Sequence, residues 1–387
     1  MKVLVAIDSF KGSISSVEGS KAVALGIRDV FPHAEIVTLP LADGGEGTVE
    51  AVLHAVGGTL VEIKVAGPLS LEKNAAYGIL KDGKTAVIEM AEACGLAFVP
   101  IDQRNPLLAT TYGAGQLILD AIEKGCREFV IGLGGSATND GGIGMLQALG
   151  FRFLDERGID VGLGGQELKN IQSVDVNQVI PELASCHFRI ACDVNNVLYG
   201  PTGAAHIFGP QKGATPEMVE SLDKGLRHFA EIVWKQLGID LQNIAGAGAA
   251  GGLGAAFSGF LQSDLESGIE LVLQMTAMEE KMQEVDYVIT GEGKLDKQTA
   301  MGKAPLGVAK LASKHGIPVI ALAGAVPTDS RILNELGITS CFSIVNAPMS
   351  LEKAMNPEVT FNNLKGTARQ LFGLIHGVIK KAKYLQK

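Results

Sequence analysis

The sequence predicts an α/β protein of two domains, one assembled from both chain ends and the other inserted between them. Three observations predict it. Short β-branched runs alternate with longer stretches of helical periodicity along the whole chain. That rhythm is uniform at the two ends but changes texture in the middle, where strands run into polar or glycine-rich loops. The 387 residues also exceed the ~100–200 of a typical single domain.

KVLVAI (2–7) reads as a buried strand, and residues 15–31 carry Val17, Val23, Ala24, Ile27 and Val30 at helical spacing. EIVTLPLA (35–42) is the next strand and EGTVEAVLHAVG (46–57) the next helix. In the middle, GKTAVIEMAEACGL (83–96), CREFVIGLGGSATNDGG (126–142) and FRIACDVNN (188–196) are strands that end in loops. The end rhythm returns with YVITG, APLGVAKLASKHG, PVIALAG, SRILNELG and CFSIVN, and residues 362–387 form a closing helix. The split domain is expected over 1–70 and 285–387, and the inserted one over 71–284. Loops at the carboxyl ends of parallel strands would then face a cleft between the domains, holding the active site.

The net charge of -9, from 33 basic and 42 acidic side chains, excludes a nucleic-acid binder with a basic face. Five scattered cysteines with no Cys-x-x-Cys pair suit a reducing, cytoplasmic setting. The apolar run before Asp8 is too short for a signal peptide. Residues 244–261 carry no charge and approach spanning length, but they are mostly Gly and Ala, so a tightly packed internal helix is expected there instead of a membrane segment. The sequence is silent on oligomeric state and allows a homodimer.

Five loops concentrate Gly beside Asp, Glu, Lys, Ser or Thr at strand ends. The first, AIDSFKGS, sets Asp8, Ser9 and Lys11 where they can hold a cation or an anion, although Ser13 or Ser15 also reads as a helix cap. The second, LADGGEGT, sets Asp43, Gly44, Gly45 and Glu46 before a helix start whose N–H groups can take an anion. The third, GLGGSATNDGG, has two readings. Gly132, Gly134 and Ala137 fit the Gly-x-Gly-x-x-Ala dinucleotide fingerprint, with Asp155 or Glu156 near the place of its ribose-binding acid. A pyrophosphate there would meet Asp140 at the helix start, whereas a metal-bound phosphoryl chain would be favoured by it, so Gly134, Gly135 and Ser136 read better as a phosphate cradle. The fourth combines Asp193, Asn195 and Asn196 with Lys212 further on, as base or metal ligand and phosphate clamp, with an Asx-turn as the rival. The fifth, ITGEGKLDKQTAMGKAP, holds Gly291, Glu292, Gly293, Lys294, Asp296, Gln298, Thr299, Gly302 and Lys303, a set of groups suited to phosphoryl transfer. No Walker A motif, no histidine metal spacing and no Gly-x-Ser-x-Gly elbow occurs.

These motifs, with VIEMAEACGL, RNPLLATTYGAG, GAAHIFGPQKGAT, GAGAAGGLGAAF and SGIELVL in the same order, resemble the bacterial glycerate kinases over nearly the whole chain. The resemblance implies ATP-dependent phosphorylation of D-glycerate with Mg²⁺, 2-phosphoglycerate as the usual product and 3-phosphoglycerate as the other. It also implies a Rossmann- or flavodoxin-like domain joined to an inserted α/β domain. The chain departs from the family at Val197, usually Pro, and often at Phe10 and Lys294, where Tyr and Arg are common.

Joined to the loop chemistry, this gives direct in-line transfer in which Asp193 or Asp296 orients and deprotonates the hydroxyl. Lys11, Lys294 and Lys303 neutralise charge, and Asp43 and Asp140 are the expected Mg²⁺ ligands. Asp8, Ser9, Gly44, Gly45, Glu46, Gly134, Gly135, Ser136, Lys212, Gly291, Glu292 and Gly293 are expected to bind substrate and phosphate. The rivals are an NAD-dependent dehydrogenase built on Gly132, Gly134 and Ala137, and a non-catalytic two-lobed small-molecule binder.

Overall fold

A computed structural model describes residues 1–296 and 303–385. The chain divides into two compact units, one of Met1–Asp43, Glu50–Val56 and Ile269–Lys387, the other of Gly44–Val49 and Gly57–Gly268.

The first unit begins with β1 (Lys2–Ile7) and β2 (Glu35–Thr38), linked by a helix over Ser16–Arg28. Ser15 caps that helix, its hydroxyl accepting from the Glu18 N–H. β1 is buried on both faces, so its alternation divides two cores. Val3, Val5 and Ile7 pack with Ile27, Leu364 and Phe372, while Leu4 and Ala6 pack with Val272, Val308 and Ala321.

The chain then builds the second unit from β3 (Gly58–Ala66), β4 (Glu72–Leu80), β5 (Thr85–Glu89), β6 (Glu128–Gly132), β7 (Arg152–Leu154), β8 (Ser173–Asp175), β9 (His187–Ala191) and β10 (Asp264–Glu266). Six of these form a sheet in the order β10-β9-β6-β5-β4-β3, and β7 pairs with β8 separately. β5, β6, β9 and β10 run parallel, whereas β3, β4 and β5 are joined antiparallel. The expected boundary near 70 falls at Gly57 because β3 pairs with β4 along its whole length. The one near 284 falls at Ile269 because Ile269, Val272, Met278 and Met282 belong to a core of the first unit.

Residues 244–261 are largely buried, as their composition requires, but only Leu253–Phe260 is an α-helix. Ala250 at φ 51° and Gly252 at φ 104° interrupt any longer one. Among the described residues no helix is long and apolar enough to cross a membrane.

The chain returns to the first unit with β11 (Tyr287–Lys294), β12 (Val319–Ala325) and β13 (Ser340–Ser343), and a helix over Pro357–Leu385. The all-parallel sheet has the order β13-β12-β11-β1-β2. Counted within the unit this is 2-1-3-4-5, the flavodoxin-like order, and its direction reverses between β1 and β11.

Candidate active site

At that reversal the connections leaving β1 and β11 diverge, which opens room for a ligand at the strands' carboxyl ends. Asp8 follows the last residue of β1, and its N–H is held by the Gly291 carbonyl at 2.9 Å. Asp8 is buried, with one oxygen accepting from the Ser9 N–H at 2.6 Å. Burial, then the Asp43 carboxylate, push its carboxyl up to about 7, against the pull of Lys11 and the Ser9 N–H, with Glu292 adding to the rise. Lys11 lies 3.5 Å from Asp43. Glu292 is buried on β11. Beyond it Lys294 and Asp296 pair at 3.4 Å, and Lys303 stands at the N-cap of the helix Ala304–Lys314. The structure therefore groups Asp8, Ser9, Lys11, Asp43, Gly291, Glu292 and Gly293 as one charged cluster. Gln298, Thr299 and Gly302 lie outside the described residues.

In the second unit the last residues of β5, β6 and β9 form a row, Glu89 beside Gly132 beside Ala191. The turn 44–49 lies on this row. A Cβ on Gly132 would overlap the Gly44 carbonyl, and one on Gly44, at φ +84°, would overlap the Ala191 methyl. At the start of the helix behind the turn, Thr48–Val56, part of the donor set that its sequence suggested is already taken. Glu89 accepts from the Val49 N–H at 2.8 Å and the Gly47 N–H at 3.3 Å. Burial pushes Glu89 up to about 7, against the pull of the Val49 and Gly47 N–H groups, with Glu92 and Glu46 adding to the rise. Sequence reasoning passed over Glu89. Its signal was visible, since Asp8, Glu89, Asp193 and Glu292 all stand within two residues of the end of a parallel strand.

The Gly134–Ser136 loop is anchored by a buried cation. Lys212 donates to the Ser136 hydroxyl at 2.9 Å and the Thr138 carbonyl at 2.6 Å. Burial pulls the Lys212 ammonium down to about 8, against Cys94 and Asp140. Lys212, expected as a phosphate clamp, thus braces the loop from its buried side. Asp193 also has a holding task, accepting from the Gly268 N–H at 3.0 Å.

Asp140, the other expected Mg²⁺ ligand, belongs to the second unit. It is fully buried, with one oxygen accepting from the Thr111 N–H at 2.8 Å and hydroxyl at 2.9 Å, the other from the Gly142 N–H at 3.1 Å. Those bonds occupy it as an internal anchor. Asp140→Ala is expected to destabilise the protein by about 3–5 kcal/mol, because three buried donors lose their acceptor. Urea unfolding checks this; an Mg²⁺-ligand role instead requires a stable variant with a raised Mg²⁺ demand.

The dinucleotide reading of Gly132, Gly134 and Ala137 fails on geometry. No helix opens after Ala137; the next begins at Ile143, is six residues long and follows Gly142 in the left-handed region. A pyrophosphate would have no adjacent helix start to meet. Among the described residues no three His, Cys, Asp or Glu side chains group as a metal site.

The first unit, a flavodoxin-like sheet with acids and lysine at its reversal, and the second, a sheet carrying braced glycine loops, each have the features of an α/β scaffold that handles phosphate. The profile of the glycerate kinase family matches residues 3–376. A glycerate kinase from Bacillus subtilis (strain 168) is 47% identical over 371 residues, 96% of this chain and 97% of that protein. A glycerate 2-kinase from Escherichia coli (strain K12) is 47% identical over 354 residues, 92% of this chain and 93% of its own length. A crystal structure of a Salmonella typhimurium LT2 protein assigned as glycerate kinase 2 superposes with a TM-score of 0.87 at 43% identity, covering 97% of this chain and 98% of that one. The chain belongs to the glycerate kinase family.

Proposed function

We propose that the protein transfers the γ-phosphoryl group of ATP to a hydroxyl of D-glycerate, giving 2-phosphoglycerate and ADP. The whole-length family match carries this reading, and the name of the E. coli relative supports the 2-position. The charged cluster after β1 and β11 suits the chemistry. In-line transfer asks mainly for positioning and charge neutralisation. The glycerate oxygen bonds to phosphorus as the bond to the β–γ bridging oxygen breaks, and the hydroxyl proton passes to a carboxylate.

Asp8 is the best-supported acceptor of that proton, being buried among charges with its carboxyl near 7, close to the working pH of a general base. This prefers Asp8 to Asp193, which holds Gly268, and to Asp296, which pairs with Lys294. Lys11, Lys294 and Lys303 neutralise phosphoryl and carboxylate charge. The turns Gly44–Glu46 and Gly134–Ser136 supply backbone for phosphate and substrate. Mg²⁺ arriving on ATP needs only one or two protein carboxylates, and Asp43 with Glu292 provide hard oxygen donors of that kind. Bound there, it would neutralise charge on the phosphoryl oxygens. The reading places the enzyme in the cytoplasm, where its five cysteines stay free thiols.

A coupled assay of ADP release with D-glycerate and Mg–ATP tests the reaction, and phosphorus NMR of the product reads its position. Turnover with a 2-phosphoglycerate signal is expected. No glycerate-dependent ADP release rejects the reading, and a 3-phosphoglycerate signal rejects its regiochemistry.

A further inference from the structure

A helix start is ordinarily capped by a side chain from its own N-cap residue. The helix Thr48–Val56 follows Gly47, which has no side chain to offer, and its acceptor comes from Glu89, 40 and 42 residues further along the chain. A local cap would fix only the helix. A cap from the end of β5 ties the turn before the helix to the sheet. The Gly44 and Gly45 backbone rests against Gly132, Gly134 and Ala191, so the same turn is located by contact as well. Glu89 is buried, which makes its carboxylate costly for the fold, and an apolar residue would fill that place more cheaply. The adjacent loop has a brace of the opposite sign in Lys212.

We infer that Glu89 is a positioning residue for phosphoryl transfer, its carboxylate setting the orientation of the Gly44–Glu46 turn toward phosphate and substrate. The inference rests on the proposed glycerate kinase reaction. Glu89 acts through the Gly47 and Val49 N–H groups and touches no reacting atom. Glu89→Gln keeps the size but turns an amide donor toward one of two N–H donors. Glu89→Asp keeps the charge but falls short of them by one methylene.

Both variants of the full chain are assayed with D-glycerate and Mg–ATP, and amide hydrogen exchange is followed in the peptide spanning 44–52. A fall in kcat/KM of about tenfold to hundredfold is expected, carried mainly by kcat, the usual scale for losing a partner that orients a reacting group. The 47 and 49 amides should exchange at least about tenfold faster while the rest of the chain keeps its protection. If Glu89→Gln does not fold, Glu89→Asp is judged by the same readings. Activity within twofold of the parent, a loss confined to KM, or unchanged exchange at 44–52 overturns the inference. Failure of the parent protein to phosphorylate glycerate rejects the proposed function instead, and the exchange data still report whether Glu89 holds the turn.

Discussion

Asp8→Asn should lower kcat/KM for glycerate by at least ~10²-fold, the usual contribution of a positioned proton acceptor, and should remove the acid limb of the pH–rate profile near pH 7. The same substitution should make the nucleotide-free protein more stable at pH 8. The Asp8 carboxyl is raised in the folded state from 3.8 to about 7, so the fold holds a proton there that the unfolded chain releases. Stability from this group is therefore full below about pH 4 and is lost as pH rises through about 7. The ionised carboxylate costs on the order of 4 kcal/mol at pH 8, a cost that asparagine avoids. Thermal unfolding of both proteins in EDTA at pH 5 and pH 8 reads the effect as a gap that opens with pH. A variant that is equally active, or less stable at pH 8, removes Asp8 from the base role. Lost activity together with gained stability is what a reacting group kept against the preference of the fold should show.

The second large effect is steric. Gly132→Ala places a methyl against the Gly44 carbonyl, and a backbone oxygen cannot rotate away. Overpacking of this kind costs about 1–3 kcal/mol and more where backbone must shift, so the apparent Tm should fall by several degrees. The displaced turn should also lower kcat/KM by at least about tenfold, because misplacement near 1 Å is already expensive in a positioned site. Gly373→Ala is the control. It lies in the helix Pro357–Leu385 with open space around it, so it should leave activity unchanged and raise stability by up to about 1 kcal/mol. Gly132→Ala with parental Tm and activity would show that the two loops do not rest on one another.

The fold was largely legible because its signals are local. β1 and its following helix announce themselves through alternation and helical spacing, and the glycine-rich strand ends mark where the chain turns over a sheet edge. The flavodoxin-like order was not, since the neighbour of Val3 is Tyr287, and no local pattern reports such a pairing. The loops were found for the same local reason, but the tasks within them were not. Asp140 and Asp43 look alike in sequence, each beside a glycine pair. Only burial and partners separate the internal anchor held by Thr111 from the acid beside Lys11. Glu89 escaped because its strand ends without a glycine, and its partners lie 40 residues earlier.

The place of β1 in its sheet also bears on how the protein is made. β1 is an apolar central strand whose partner on one side, β2, is synthesised at once, while the other, β11, comes some 280 residues later. At about 5–20 residues per second, ribosomal synthesis leaves that edge open for roughly 15–60 seconds. Throughout that interval the nascent chain carries a two-strand ribbon with an unpaired hydrophobic border, the kind of edge that recruits other chains. The second unit, whose six-stranded sheet lies wholly within the intervening residues, can complete itself first. Folding order is thus expected to invert chain order. The unit that starts the chain finishes last, and the yield of protein in the cell should depend on how well that waiting edge is shielded.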